Sequence, residues 1–151
     1  MTGGAARSDR AAPLSFAPYD CHVTSSGYRP MALADLAGHL RRADADDLRW
    51  RLVAEFLEEY RWESAPQRLD LLAEEPAGTG SARWDVFLGA LAEHLSLRDK
   101  RRAPAWAEAR SLRTFWFPFN TRAARVDAIV HSPVAFRRRG IFVAPQELEV
   151  A

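Results

Sequence analysis

Residues 44–62, DADDLRWRLVAEFLEEYRW, decide how this chain folds. Leu48, Leu52, Phe56 and Tyr60 recur every fourth residue, and at ~100° per residue Trp50, Val53 and Leu57 widen that row to about half a helix circumference. So wide a stripe meets two neighbours. The stretch is therefore expected to be the central helix of a bundle, capped by Asp44 or Asp46 and running to about Trp62. Arg49 falls inside the apolar arc, where an unpaired charge is costly. It is expected to snorkel or to pair with a carboxylate such as Glu59 or Asp70. Glu55, Glu58, Glu59 and Glu63 fit a solvated face, because a helical carboxylate metal site also wants histidines three residues on, and none stands there.

Working outward, Leu33, Leu36 and Leu40 mark a short amphipathic helix ahead of this one. Residues 1–30, rich in Gly, Ala, Ser and Pro, read as a disordered tail holding Asp20, Cys21 and His22, and Met31 is a candidate initiator. Downstream, Ser64 and Pro66 open a helix carrying Leu69, Leu71 and Leu72, closed by Glu75 and Pro76. The glycines of PAGTG form a turn and not a phosphate loop, since neither a strand before them nor GK[ST] after them is present. Ser81 then starts a helix with Trp84, Phe87, Leu88, Leu91 and Leu95 on one tight face, the complement of the wide stripe, with His94 beside it. Pro104 and Trp106 begin a further short helical turn.

From Arg113 to Val143 the chain reads RTFWFPFNTRAARVDAIVHSPVAFRRRGIFV. Pro118 stops any helix within the aromatic cluster Phe115, Trp116, Phe117 and Phe119. Asn120 or Thr121 can cap a helix whose Ala123, Val126, Ile129 and Val130 recur at helical spacing, which places them against the core. Ser132 and Pro133 repeat the start signal for a short helix anchored by Phe136, with Arg137, Arg138 and Arg139 in its last turn and Gly140 as the left-handed residue after it. Three adjacent arginines between buried apolar groups cannot all point the same way, so at least one is expected to lie against protein. Arg139 to Val143 could pair locally as extended chain.

With 151 residues, 48% of them hydrophobic, the chain is long enough for one domain with a real core. The organisation expected is all-α: a small irregular bundle of about five to seven helices over residues 31–151. A net charge of +1 predicts neither nucleic-acid nor membrane binding, but its distribution is uneven. Residues 32–75 hold eleven acidic and six basic side chains, and residues 98–139 hold eleven basic and three acidic. A single cysteine leaves no disulfide within the chain and no cysteine metal cluster, and a reducing, cytoplasmic setting is the default. No run approaches the roughly 18 apolar residues of a membrane span.

The segments RLDLLAEEPAGTGSARWDVFLGALAEHLSLRD, PAWAE, RTFWFP and SPVAFRRRGIFV together resemble an uncharacterised helical region of actinobacterial proteins, where it often follows an XRE-type helix-turn-helix domain. The resemblance covers roughly residues 48–147. It implies an antitoxin-like or regulatory protein whose partner is nucleotidyltransferase-like, and it brings no catalytic motif. The tail before Met31 carries no helix-turn-helix, so what it implies here is the partner-binding half.

The functional expectation is a non-catalytic protein-interaction module without cofactor or metal. It docks a protein partner through a basic aromatic surface of Trp116, Phe136, Arg137, Arg138, Arg139 and Phe142, residue types favoured at interface centres. The alternative is nucleic-acid binding by the arginine-rich segment 98–139. An enzyme is not expected. Asp127 and His131, spaced i and i+4, are the one pair resembling a catalytic arrangement, and stabilisation of a helix end accounts for them.

Overall fold

The computed structural model describes residues 27–149 and is all-α, with six α-helices. Asp20, Cys21 and His22 lie outside the described residues. In chain order the helices are α1 (Leu33–Arg42), α2 (Asp46–Trp62), α3 (Ala65–Ala73), α4 (Ala82–Arg98), α5 (Arg122–His131) and α6 (Val134–Arg137). Two 3-10 turns, Ala105–Ala109 and Pro145–Leu148, complete the frame.

The central helix is α4 and not α2. Around α4, Trp84, Val86, Phe87, Leu88, Ala90, Leu91, Ala92 and Leu95 are all buried, which covers every side of the helix, and it packs against α1, α6 and the first 3-10 turn. On α2 only Val53, Phe56, Leu57 and Tyr60 are buried, and Leu48 stays exposed. The reason lies in the small residues. Gly89, Ala90 and Ala92 let neighbouring chain approach the back of α4, whereas the back of α2 carries Glu55 and Arg51. A β-carbon on Gly89 would stand 3.3 Å from the carbonyl oxygen of Ala107, so only glycine leaves this approach free.

An aromatic spine ties the elements together. Trp50 of α2 meets Trp84 and Phe87 of α4 at centroid distances of 5.2 Å each and Phe119 at 4.8 Å. Trp84 meets Trp116 at 5.3 Å, and Phe87 meets Phe136 at 5.4 Å. Such tilted and edge-on pairs suit the ring quadrupoles and add to burial.

Several local expectations are corrected. Ala45, not an aspartate, occupies the α2 cap position. Arg49 turns back to α1, donating from Nη2 to Ala43 O at 2.6 Å and from Nε to Leu40 O at 3.2 Å, with Asp46 at 2.8 Å from Nη1. It therefore pairs with a carboxylate, Asp46 in place of Glu59 or Asp70, and also closes the C-terminal carbonyls of α1. Ser81 holds the cap position of α4 as expected but its side chain makes no capping bond, and Asp85 accepts from Thr79 N at 2.7 Å. Ser132 does not cap α6; Pro133 holds that position, and the buried Ser132 hydroxyl instead bonds the backbone of Val143. Among the described residues the only β-type pairing is a single bridge between Trp116 and Ile141.

Candidate partner-binding surface

The C-terminal segment leaves the core and returns to it at one place. Leu112 N bonds Arg139 O, Trp116 N bonds Gly140 O and Phe142 N bonds Trp116 O, each at 2.9 Å. Gly140, at φ +81°, makes the turn that brings the returning chain alongside. Everything between these contacts is an excursion that carries α5 and α6.

Trp116 and Phe136 point into the core, and so does Arg139, which is 2% exposed. Arg139 donates from Nη1 to Glu93 and to Ala135 O at 2.8 Å, and from Nη2 to Ala107 O at 2.5 Å. Its Nε has no partner. Glu93, itself buried on α4, also accepts from Arg138 Nη2 at 2.6 Å. A buried carboxylate facing two guanidinium groups repays their desolvation only because donors and acceptors meet closely. Arg137 donates from Nη2 to Val130 O at 3.0 Å and to Ser132 O at 3.2 Å, closing the end of α5.

Of the six side chains expected to meet a partner, Trp116, Phe136 and Arg139 are thus core components that offer it no surface. Arg137 and Arg138 are exposed but engaged, and Phe142 is half-buried. Phe142 stacks on Phe117 at 5.0 Å and meets the exposed Phe115 edge-on at 5.3 Å. The guanidinium of Arg125 lies 4.7 Å from the centre of Phe117, so cation and ring support each other at the surface.

The face that does look outward is one the sequence assigned to the core. Val126, Ile129 and Val130 are 58%, 52% and 58% exposed, and Val134 at the start of α6 extends the strip. Inwardly α5 presents Ala128, buried, and Ala124, half-buried. Thr121 caps the helix, accepting from Ala124 N at 3.2 Å. Asp127 holds the far flank to the body of the protein: its Oδ2 accepts from Gln146 and its Oδ1 lies 2.7 Å from His131 Nδ1. The bond from His131 holds the Asp127 carboxyl below its ordinary range. A shallow hollow bordered by Arg122, Val126, Val130 and His131 runs along this face.

The sequence did contain a signal for this inversion. Arg122, Val126 and Ile129 stand at i, i+4 and i+7, so the aliphatic stripe carries an arginine in its middle, while Ala124 and Ala128 offer a small, uncharged alternative face. Glu93 was missed because a carboxylate within the otherwise apolar run ALAEHL gives no sign of which way it turns.

Among the described residues, no three His, Cys, Asp or Glu side chains gather to hold a metal ion, and no helix is long and apolar enough to cross a membrane. Comparison of the chain with protein-family models, with curated proteins and with solved structures returns no match.

Proposed function

We propose that this protein is a non-catalytic, antitoxin-like or regulatory interaction module that docks a protein partner through its C-terminal excursion. The observation that carries this reading is α5, whose largest aliphatic side chains face water while Ala124 and Ala128 face the core. A helix that folds with Val126, Ile129 and Val130 outward leaves them the contact area a partner would cover. The surroundings state the partner's chemistry. Residues 112–141 contain six arginines and one acidic residue, Asp127. The matching surface is an apolar ridge flanked by Asp and Glu, which would gain association rate and orientation from the arginines. The first partner to test is a nucleotidyltransferase-like protein, which the resemblance sets beside proteins of this kind.

Co-expression with the products of the neighbouring genes, followed by affinity purification, tests this reading. The wild-type chain retains a stoichiometric partner, and Val126→Asp combined with Val130→Asp loses it while keeping its helical circular dichroism. Retention of that partner by the double variant would remove α5 from the interface. Recovery of nucleic acid in place of a protein would favour the arginine-rich segment as a phosphate-binding surface.

A further inference from the structure

A second concave site shares no residue with the outer face of α5. It is a cavity of about 250 Å³ between the C-terminal half of α2, α3, the end of α4 and the last 3-10 turn. Its floor is apolar, made by Leu57, Leu95 and Leu148, all of them buried. Its wall is polar and fixed. Tyr60 donates its hydroxyl to Asp99 Oδ2 at 2.6 Å, and Arg68 donates from Nη1 to Asp99 Oδ1 at 3.1 Å. Arg68 also bonds Tyr60 O at 3.0 Å and Arg61 O, and its guanidinium lies 5.4 Å from the centre of the Tyr60 ring. Burial and the Asp99 carboxylate push the Tyr60 phenol up, so it remains a protonated donor. Asp99 is thereby neutralised by Arg68, with both of its oxygens occupied.

Arg61, Arg98 and one further carboxylate, Glu149, complete the lining, so that with Asp99 and Arg68 paired the balance is positive. Arg98 lines the cavity, and Arg101, three residues on, lies outside that lining but adds its positive charge to the surroundings of Tyr60. Neither guanidinium makes a hydrogen bond or an ion pair within the described residues. The chain reaches this arrangement through Lys100, at φ +55°, the one non-glycine residue of the described chain in the left-handed region. Glycine is the low-energy choice at such a helix end. Here the turn, closed by Lys100 N to Leu97 O at 3.0 Å and Arg101 N to Ser96 O at 2.8 Å, folds the chain back over the end of α4. The C-terminal dipole of α4 amounts to about half a negative charge. Arg98, Lys100, Arg101 and Arg102 exceed it several-fold, with Asp99 already paired.

We propose that this cleft binds a small organic anion, its phosphate or carboxylate head held by Arg98 and attracted by the nearby charge of Arg101, and its apolar body lying on Leu57, Leu95 and Leu148. Guanidinium forks match either head group, and a pocket with an apolar floor and a few convergent polar groups favours a molecule over a bare ion.

Titration calorimetry and thermal melting at constant ionic strength, with phenyl phosphate, phenylacetate and inorganic phosphate as probes, test it. One of the two aromatic anions binds saturably and raises the melting midpoint, and the tighter of them assigns the head group. Arg98→Ser combined with Arg101→Ser weakens that binding at least tenfold, and Arg98→Ser alone provides the same test if the double variant unfolds. Absence of saturable binding by both aromatic anions, or binding unchanged in the variants, overturns the proposal. Inorganic phosphate binding as tightly as phenyl phosphate overturns the role given to the apolar floor.

Discussion

Two stretches of the excursion have similar ingredients and opposite fates. Arg122–His131 and Val134–Ile141 each mix arginines with large apolar side chains, yet Arg139 and Phe136 of the second are sealed in the core while Val126, Ile129 and Val130 of the first face water. The difference comes from what stands opposite. The second stretch meets α4 where Glu93 supplies a buried carboxylate and Gly89 leaves room for the backbone of Ala107, so a guanidinium can be desolvated with every nitrogen but Nε partnered. The first meets the body of the protein through Ala124, Ala128 and the Asp127–Gln146 contact, a small and partly polar footing that requires none of its aliphatic side chains. Residue type alone does not decide burial; the opposing surface does.

The contrast breaks most severely at Glu93. Glu93→Gln leaves Arg139 charged and buried without its counter-ion, and the expected loss is about 3–5 kcal/mol in denaturant unfolding. Replacing both partners together, Glu93→Leu with Arg139→Met, should recover most of it, since an apolar pair of similar size removes the desolvation cost. A destabilisation of the pair as large as that of the single variant would mean that the geometry, and not the charge balance, is what counts.

A smaller effect separates the same regions by pH. His94 lies 5.7 Å from Phe136, and burial, helped by Arg98, pushes its imidazole down to about 4 from an ordinary 6.5. The unfolded ring therefore takes up its proton before the folded one does. Stability is complete above pH 6.5 and falls as the pH drops toward 4, by roughly 2 kcal/mol for a half-buried ring. His94→Gln should flatten that slope, as measured by unfolding midpoints across the window. An unchanged slope would place its origin in the carboxylates.

The smallest effect belongs to α5. Changing Val126, Ile129 and Val130 together to Ser should alter unfolding free energy by no more than about 0.5 kcal/mol per site, as for surface positions generally. A loss of several kcal/mol would show that the face is already covered within the folded chain.

The helices themselves were legible from periodicity, because the spacing of Leu33, Leu36 and Leu40, or of Trp84, Phe87, Leu91 and Leu95, has one helical reading. Depth within the fold was not. A broad stripe made α2 look central, although centrality depends on a helix being small or apolar on its other faces too, as α4 is at Gly89, Ala90 and Ala92. Two caps failed for a related reason, although Thr121 and Ser64 stand where expected: Ser132 and Asp46 carry suitable side chains, but Val143 and Arg49 engage them. At the candidate surface, adjacent arginines advertised charge without revealing Glu93, forty-five residues or more away in sequence.

The pinning of Leu112, Trp116 and Phe142 against Arg139 and Gly140 has a further consequence. Because the stalk is closed by backbone bonds, the chain leaves and re-enters the scaffold within a few ångströms, whatever the outer helix contains. Residues 120–131 can then diverge, or be exchanged by an engineer, as an interchangeable cassette while Trp116 and Phe136 keep the scaffold intact. Recognition and folding would drift under separate selection in such a molecule.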